Sequence, residues 1–296
     1  MLKTGAEKPL IPHLAVCITF FYVPARLTYL STIIANYIGI AEKTDVYIVT
    51  NVADTTPIND ALAAYRESIS IQFVTPTGLG HPFLLTWTHR EVFKQISSSS
   101  QASHFLYSED DLLFGRSNVS YWLRYREALR AQGLFPSFFR VEKHHTIGWV
   151  STDCISPLNL GLLPSVQLSD GAFFVCMKNP YQGMYFLDRE LMEEFASSPA
   201  MSPDFGKWEI REKASQGLTF VNIPEGYTSR NVVLVNTSMK SIPKEAWIHH
   251  LPNNYATNPN SEFGKVSMAE NELFPTHSKG GLKQRIKKLI RSIRNK

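Results

Sequence analysis

Apolar and polar positions along the first hundred residues fall into blocks of two kinds. A short run of apolar, β-branched and aromatic residues at 15–22, closed by Pro24, reads as a buried strand. Leu27, Leu30, Ile34 and Ile38 then recur at helical spacing, and Gly39 stands where that helix should stop. Residues 46–50 and 69–74 read as two more strands with a short helix at 62–68 between them. Pro82 suits the first turn of a helix reaching about Ile96, with Leu85, His89, Val92 and Ile96 on one face. Strand and helix alternate in this way when a parallel sheet is built, because each crossover needs a helix to return the chain. The expected fold class is therefore α/β, a nucleotide-binding sheet covered by helices.

The second half is less regular. Residues 104–106 begin a fourth strand that runs into Glu109, Asp110 and Asp111 before apolar character resumes at 112–114. A helix is expected at 118–131, capped by Ser117 or Asn118, with Trp122, Tyr125 and Leu129 facing inward. Strands are expected at 137–141, 146–150, 172–177 and 218–223, and helices at 185–195 and 208–216, which together imply a mixed sheet. Residues 253–281, rich in Asn, Pro, Ser and Gly, read as a loosely packed connector from a domain at 1–252 to a final segment at 282–296.

Charge separates that last segment from the body. The chain carries a net +4, but eight basic residues and no acidic ones lie at 279–296, so the body carries −4. A body of that sign argues against nucleic acid as a partner. Leu282, Ile286, Leu289, Ile290 and Ile293 recur at helical spacing among the lysines and arginines, which predicts a basic amphipathic helix lying on an anionic membrane surface. It is too short to span a bilayer, and the apolar stretch at 14–23 is interrupted by Thr19, so neither a signal peptide nor a spanning helix is expected. Cys17, Cys154 and Cys176 are odd in number and set among apolar residues, as reduced core thiols would be. These features predict a cytoplasmic protein, peripheral at the inner face of a membrane.

Three adjacent carboxylates at a strand end repel one another unless a cation or a hydrogen-bonding ligand compensates them. Ligands of open α/β sheets bind beyond the carboxyl ends of the strands, where Glu109, Asp110 and Asp111 would fall, and a hard divalent ion there would bridge carboxylate and phosphate oxygens. An acidic surface turn is the plainer alternative. Trp208-Glu209-Ile210-Arg211-Glu212 places two acids three residues apart, on one helical face, where either could accept a hydroxyl proton; Glu209 is slightly preferred as nearer the loop, and ordinary surface charge is the alternative. His249 and His250 follow an apolar run, and only one of them can point inward if the segment is extended. The turn after the first strand offers Thr19, with Tyr22 to stack and Arg26 to approach phosphate, and His81, His89 and Arg90 are candidates for the same cleft.

The stretch FLYSEDDLLF resembles the strand and acidic motif of GT-A glycosyltransferases, in which a carboxylate holds Mg²⁺ or Mn²⁺ against a nucleotide diphosphate. Residues 181–195 are similar to the loop and helix lining the sugar and acceptor pocket of that family, and GKWEIREKASQGL resembles its acidic acceptor segment, although the usual acid pair is adjacent and here it is not. The likeness runs from about Leu14 to Pro252. It implies that Asp111 binds the metal, with Asp110 in support and Glu109 toward the ribose, that His249 or His250 completes the shell, and that Glu209 or Glu212 is the base. The implied reaction is transfer of a hexose or N-acetylhexosamine from a nucleotide diphosphate sugar, UDP-linked by expectation, to a hydroxyl of a glycan or lipid-linked acceptor in polysaccharide biosynthesis. A sugar-1-phosphate nucleotidyltransferase is the rival enzyme, but the glycine-rich basic loop it needs after the first strand is replaced by Val23-Pro24-Ala25-Arg26. A non-catalytic membrane-bound scaffold is a third reading.

Overall fold

The computed structural model describes residues 7–154, 158–261 and 266–274. The strands β1 (Ile11–Phe20), β2 (Ala41–Thr50), β3 (Ser70–Val74) and β4 (His104–Glu109) form a parallel sheet in the order β3, β2, β1, β4. Nine of the ten residues of β1 are buried, and since successive side chains leave opposite faces, both faces of the sheet must be covered. The crossovers carry helices α1 (Leu27–Tyr37), α2 (Thr56–Ala61) and α3 (Thr88–Ser99). The α/β class expected from the pattern is thus present, with the acidic motif at the carboxyl end of the fourth parallel strand.

Four local expectations are corrected. The helix placed at 62–68 starts earlier, as α2, because Pro57 sits in its first turn and the Asp54 carboxylate accepts the Thr56 amide; only a 3-10 turn, Ala63–Tyr65, follows. The helix placed at 185–195 is two elements. Met184–Asp188 is a strand antiparallel to β4, and Asp188 then caps a helix, Arg189–Ser197, by accepting the Leu191 amide at 2.8 Å. Met184 to Leu187 are all buried, and an apolar run of that length without alternation fits a doubly covered strand as well as a helix. The helix at 208–216 shrinks to Ile210–Ala214, and 218–223 is a chain of turns with Asn222 at φ 49° in place of a strand.

The rest of the chain makes two smaller sheets. One joins Phe135–Pro136, Asn231–Val235, Phe173–Cys176 and Ser165–Gln167. The other joins Leu112–Leu113, Trp247–His250, Phe139–His144, Gly148–Ser151 and Val266–Ser267. Within the span expected as a connector, Val266 is buried against Gly148–Ser151, and Asn254–Thr257 is a helical turn whose Ala256 amide donates to Glu142 at 2.5 Å. The predicted basic helix at 282–296 lies outside the described residues. Among the described residues no helix is long and apolar enough to cross a membrane, and the three cysteines are free and buried.

Burial leaves a titratable mark on β4. His104 stacks on Phe186, with ring centroids 5.4 Å apart, and burial pushes its imidazole down to about 4 although Asp188 opposes the shift. An unfolded chain takes up that proton at the ordinary value of 6.5, so His104 lowers stability progressively as pH falls from 6.5 towards 4. His104→Phe is therefore expected to gain stability relative to the wild type between pH 7 and pH 5. Urea midpoints of both proteins at the two pH values measure this, and a constant difference would refute it.

Candidate active site

The carboxyl end of the parallel sheet gathers the acidic motif. Glu109 is the last residue of β4, and Asp110 and Asp111 occupy the turn that follows. Trp247–His250 pairs with Leu112–Leu113, His250 opposite Leu112, and the Leu251 amide donates to the Asp111 carbonyl at 2.9 Å. The late histidine is thereby brought to the motif from 139 residues away: His250 Nε2 lies 3.2 Å from Asp111 Oδ2. Its Nδ1 lies 2.5 Å from Glu142 Oε1, on the neighbouring strand Phe139–His144, and its ring stacks on Tyr255. Burial works against a charged imidazole here, but Asp111 and Glu142 raise His250 to about 9.

Arg26 compensates the crowded acids. Its Nε and Nη2 donate to the two oxygens of Asp110 at 2.8 and 2.7 Å, and Nη2 also reaches Asp111 Oδ2 at 2.7 Å. Burial and Asp111 nevertheless raise Asp110 to about 6 against the pull of Arg26. Asp111 goes the other way, since His250 and Arg26 outweigh its burial. Asp111 Oδ1 is buried with no hydrogen-bond partner. Glu109, half-buried, is pushed up to about 7 by burial and then by Asp111, and its Oε1 accepts from the Tyr181 hydroxyl at 3.3 Å. Gly183, at φ 71°, packs against that carboxylate so closely that a Cβ would lie 2.8 Å from Leu112 Cδ1 and 3.2 Å from Glu109 Oε2.

Two clefts meet at this cluster. The first, about 390 Å³, is lined by Thr19, Arg26 and the acidic motif on one side and by Phe21, Val23 and Phe83 on the other. The second, about 400 Å³, is lined by Tyr181, Trp208, Glu209, Glu212 and the Arg140–Asp153 pair. Glu109, Arg211 and Tyr255 line both. The Arg211 guanidinium sits 4.9 Å from the Phe83 ring, on the side of the first cleft, whereas Arg140 is held by Asp153 through two bonds of 3.0 and 2.6 Å.

Thr19, Arg26, Glu109, Asp110, Asp111 and His250 are thus brought together, and Glu209 and Glu212 face the adjoining space. Glu109 stands at the junction of the clefts. Five expected residues lie elsewhere. His249 points away from Asp111, as strand alternation requires, with Nε2 3.0 Å from Asn253 Oδ1 and its ring edge-on to Trp149. Tyr22 does not line the first cleft: its ring packs edge-on to Phe20 at 6.0 Å, and Phe21 and Val23 take the lining positions. His89 is fully buried, stacked on Tyr107 and bonded to the Tyr185 hydroxyl at 2.7 Å, and His81 caps the Phe83 amide. Arg90 is also buried: it donates to the backbone carbonyls of Ala200 and Lys213 and lies over Trp87, so it fastens the 210–214 helix to α3.

Sequence reasoning overlooked Glu142, Arg140 and Tyr255. A signal was there: Arg140 and Glu142 flank Val141 two residues apart, which in an extended segment sends both charges to one face.

The donor set suits a divalent ion in one way and not another. Among the described residues no three His, Cys, Asp or Glu side chains form a ready-made cage. Asp111 Oδ1 is an unpartnered buried carboxylate oxygen, and the imidazole beside it is backed by a carboxylate, as histidine ligands commonly are. Such a pair fits an open Mg²⁺ or Mn²⁺ site whose remaining positions are filled by water and substrate phosphate.

No protein-family model matches the chain, and no curated protein does. Solved structures with a similar course of chain include 4-diphosphocytidyl-2C-methyl-D-erythritol synthase from Anaerococcus prevotii, at 12% identity and a TM-score of 0.37, over 75% of this chain and 87% of that one. Residues 1–349 of TarS from S. aureus match at 11% identity and a TM-score of 0.39, over 69% of this chain and 56% of that one. A longer TarS structure matches at 12% identity and 0.37, with 62% of this chain covering 29% of it. Likeness at this level concerns the path of the backbone alone, and the chemistry of the site rests on its own residues.

Proposed function

We propose that this protein is a glycosyltransferase moving a hexose or N-acetylhexosamine from a nucleotide diphosphate sugar, UDP-linked by preference, to a hydroxyl of a glycan or lipid-linked acceptor. The observation that carries the reading is the pair of unlike clefts meeting at Glu109 and Arg211. The first has what a nucleotide diphosphate needs: apolar faces at Phe21, Val23 and Phe83 for a base, and the Arg211 cation for phosphate. The second offers carboxylates to a hydroxyl. A sugar-1-phosphate nucleotidyltransferase would need a cation for the phosphate of its second substrate, yet Arg140 is occupied by Asp153 and Arg211 leans towards the first cleft.

In this reading the acceptor oxygen bonds to the anomeric carbon as the bond from that carbon to the diphosphate breaks, and the hydroxyl proton passes to a carboxylate of the second cleft. Glu212 is better placed than Glu209, which we had preferred from sequence. Glu209 is an exposed residue at the start of the short helix, whereas Glu212 is half-buried with Oε2 lacking a partner. Asp111 and His250 would hold the Mg²⁺ or Mn²⁺, which when bound supplies charge stabilisation to the departing diphosphate. Arg211 orients the phosphates, Arg26 holds the carboxylates of Asp110 and Asp111 together, and Glu109 with Tyr181 shapes the passage between the clefts. A hydrolysis screen of nucleotide sugars with Mn²⁺ tests the reading: slow release of nucleotide from one donor supports it, and no turnover of any donor, with transfer of nucleotide to a sugar phosphate instead, overturns it.

The basic segment at 282–296 belongs to the same proposal as the contact with an anionic membrane surface, holding the clefts near a lipid-linked acceptor. Each basic residue near such a surface contributes about 1 kcal/mol, so reversing Lys287, Lys288 and Arg291 to Glu is expected to weaken binding to phosphatidylserine vesicles by on the order of 10²-fold or more. Sedimentation of the full chain with vesicles at low and high salt measures it, and unchanged binding would remove the segment from this role. Donor hydrolysis should stay within about twofold of the wild type, since the segment lies outside the catalytic residues proposed above.

A further inference from the structure

The second cleft carries features that the transfer reaction alone does not require. Trp208 is 42% exposed at its wall and has φ 68°, a left-handed conformation that a bulky side chain adopts only at a cost. Its loop is tied down despite that cost. The Gln216 side chain brackets Lys207, accepting from its amide at 3.1 Å and donating to its carbonyl at 2.6 Å, and Gly206 allows the approach because a Cβ there would run into Gln216 Oε1. Trp208 is held edge-on to Tyr181 and Phe220, at 6.3 and 5.8 Å between centroids. The loop thus fixes an exposed indole over a cleft in which two buried polar oxygens, Thr152 Oγ1 and Glu212 Oε2, have no partner; Thr152 is only 1% exposed.

Charge narrows what this arrangement can take. With Arg140 and Asp153 paired, the second cleft is lined by the carboxylates of Glu109, Glu209 and Glu212 and by one further cation, Arg211, which it shares with the first cleft. A phosphate or carboxylate brought there would meet three carboxylates at short range against the single cation Arg211. A pyranose has the complementary build: a face of C–H groups to lie on an aromatic ring, and a rim of hydroxyls to donate to carboxylates and to bond a threonine hydroxyl.

We infer that the second cleft is a subsite for a neutral or amino-substituted sugar ring stacked on Trp208, so that the acceptor is an uncharged or cationic glycan end and not a phosphate-bearing polymer. The inference rests on the glycosyl-transfer reading for the word acceptor, but the sugar-binding site stands on the residues above. The loop geometry keeps the platform in place before any ligand arrives, and the strain at Trp208 is offset by the Gln216 bracket rather than by the ligand.

The test is binding and transfer with the full chain. Chitobiose, cellobiose, maltose and lactose, with a glycerol phosphate oligomer as the anionic probe, are titrated by tryptophan fluorescence and by saturation-transfer NMR, and donor hydrolysis without acceptor is followed in parallel. At least one disaccharide is expected to bind, and Trp208→Gly, which removes the ring and suits the positive φ, should weaken it about tenfold. Trp208→Phe should retain most of the affinity, which a merely misfolded loop would not. Failure of every disaccharide to bind, equal binding by Trp208→Gly, or preference for the glycerol phosphate oligomer would each overturn the inference. Loss of donor hydrolysis in the wild type with disaccharide binding intact would instead strike the glycosyl-transfer reading and leave the sugar site standing.

Discussion

Replacing Asp111 by Ala is expected to lower donor hydrolysis and transfer by on the order of 10³-fold, the scale seen when a group stabilising transition-state charge is removed. The reason is that this carboxylate joins every part of the cluster. Its Oδ2 is shared by Arg26 and His250, and its Oδ1 is buried with no partner among the described residues. The fold should survive, because Arg26 keeps both bonds to Asp110, His250 keeps Glu142, and the carbonyl that holds Leu251 belongs to the backbone. Removing Asp111 also relieves its repulsion with Asp110 and Glu109, both of which it helps to hold above the ordinary carboxylate range. The unfolding midpoint is therefore expected to move by only a few degrees, roughly the effect of 1 kcal/mol in a domain of this size. Calorimetric titration of Mn²⁺ in the presence of UDP supplies a readout apart from turnover. A folded Asp111→Ala protein with wild-type hydrolysis and wild-type Mn²⁺ affinity would remove the residue from the site.

What the sequence disclosed follows the range of the interactions. The parallel sheet was legible because its strands are covered on both faces and appear as apolar runs between helical repeats. The acidic motif was legible because three adjacent carboxylates are costly wherever they are placed. The partners of that motif were not, since they depend on register: His250 meets Asp111 only because Trp247–His250 lies between Leu112–Leu113 and Phe139–His144. That pairing also decides between His249 and His250, which the sequence left open, and it brings in Glu142 from a strand predicted two or three residues out of place. Arg90 shows the opposite error. A basic residue on a helix near a cleft reads as a ligand contact, yet its donors are needed by the carbonyls of Ala200 and Lys213, groups no local pattern could reveal. The 184–188 strand was missed because a fully buried run has no period to read.

Glu212→Gln is expected to reduce the rate of transfer at saturating acceptor by about 10²–10⁴-fold while leaving nucleotide affinity nearly unchanged, the pattern of a lost general base. The substitution preserves shape and volume, and the one hydrogen bond from the Ser215 hydroxyl goes to the Glu212 backbone carbonyl, so the short helix should not shift. Its first turn is in any case anchored from outside, by the Trp87 indole donating to the Ile210 carbonyl at 2.9 Å and by Arg90 on Lys213. Glu209→Gln should cost far less, because that side chain is exposed at the head of the helix and water can replace whatever it contacts. The two variants separate the roles cleanly when transfer to the best-bound disaccharide and UDP binding are measured side by side. A loss confined to Glu209→Gln would exchange the assignments. If neither variant loses rate, the proton leaves by another route, and Glu109, which lines both clefts and is bonded to Tyr181, becomes the group to replace next.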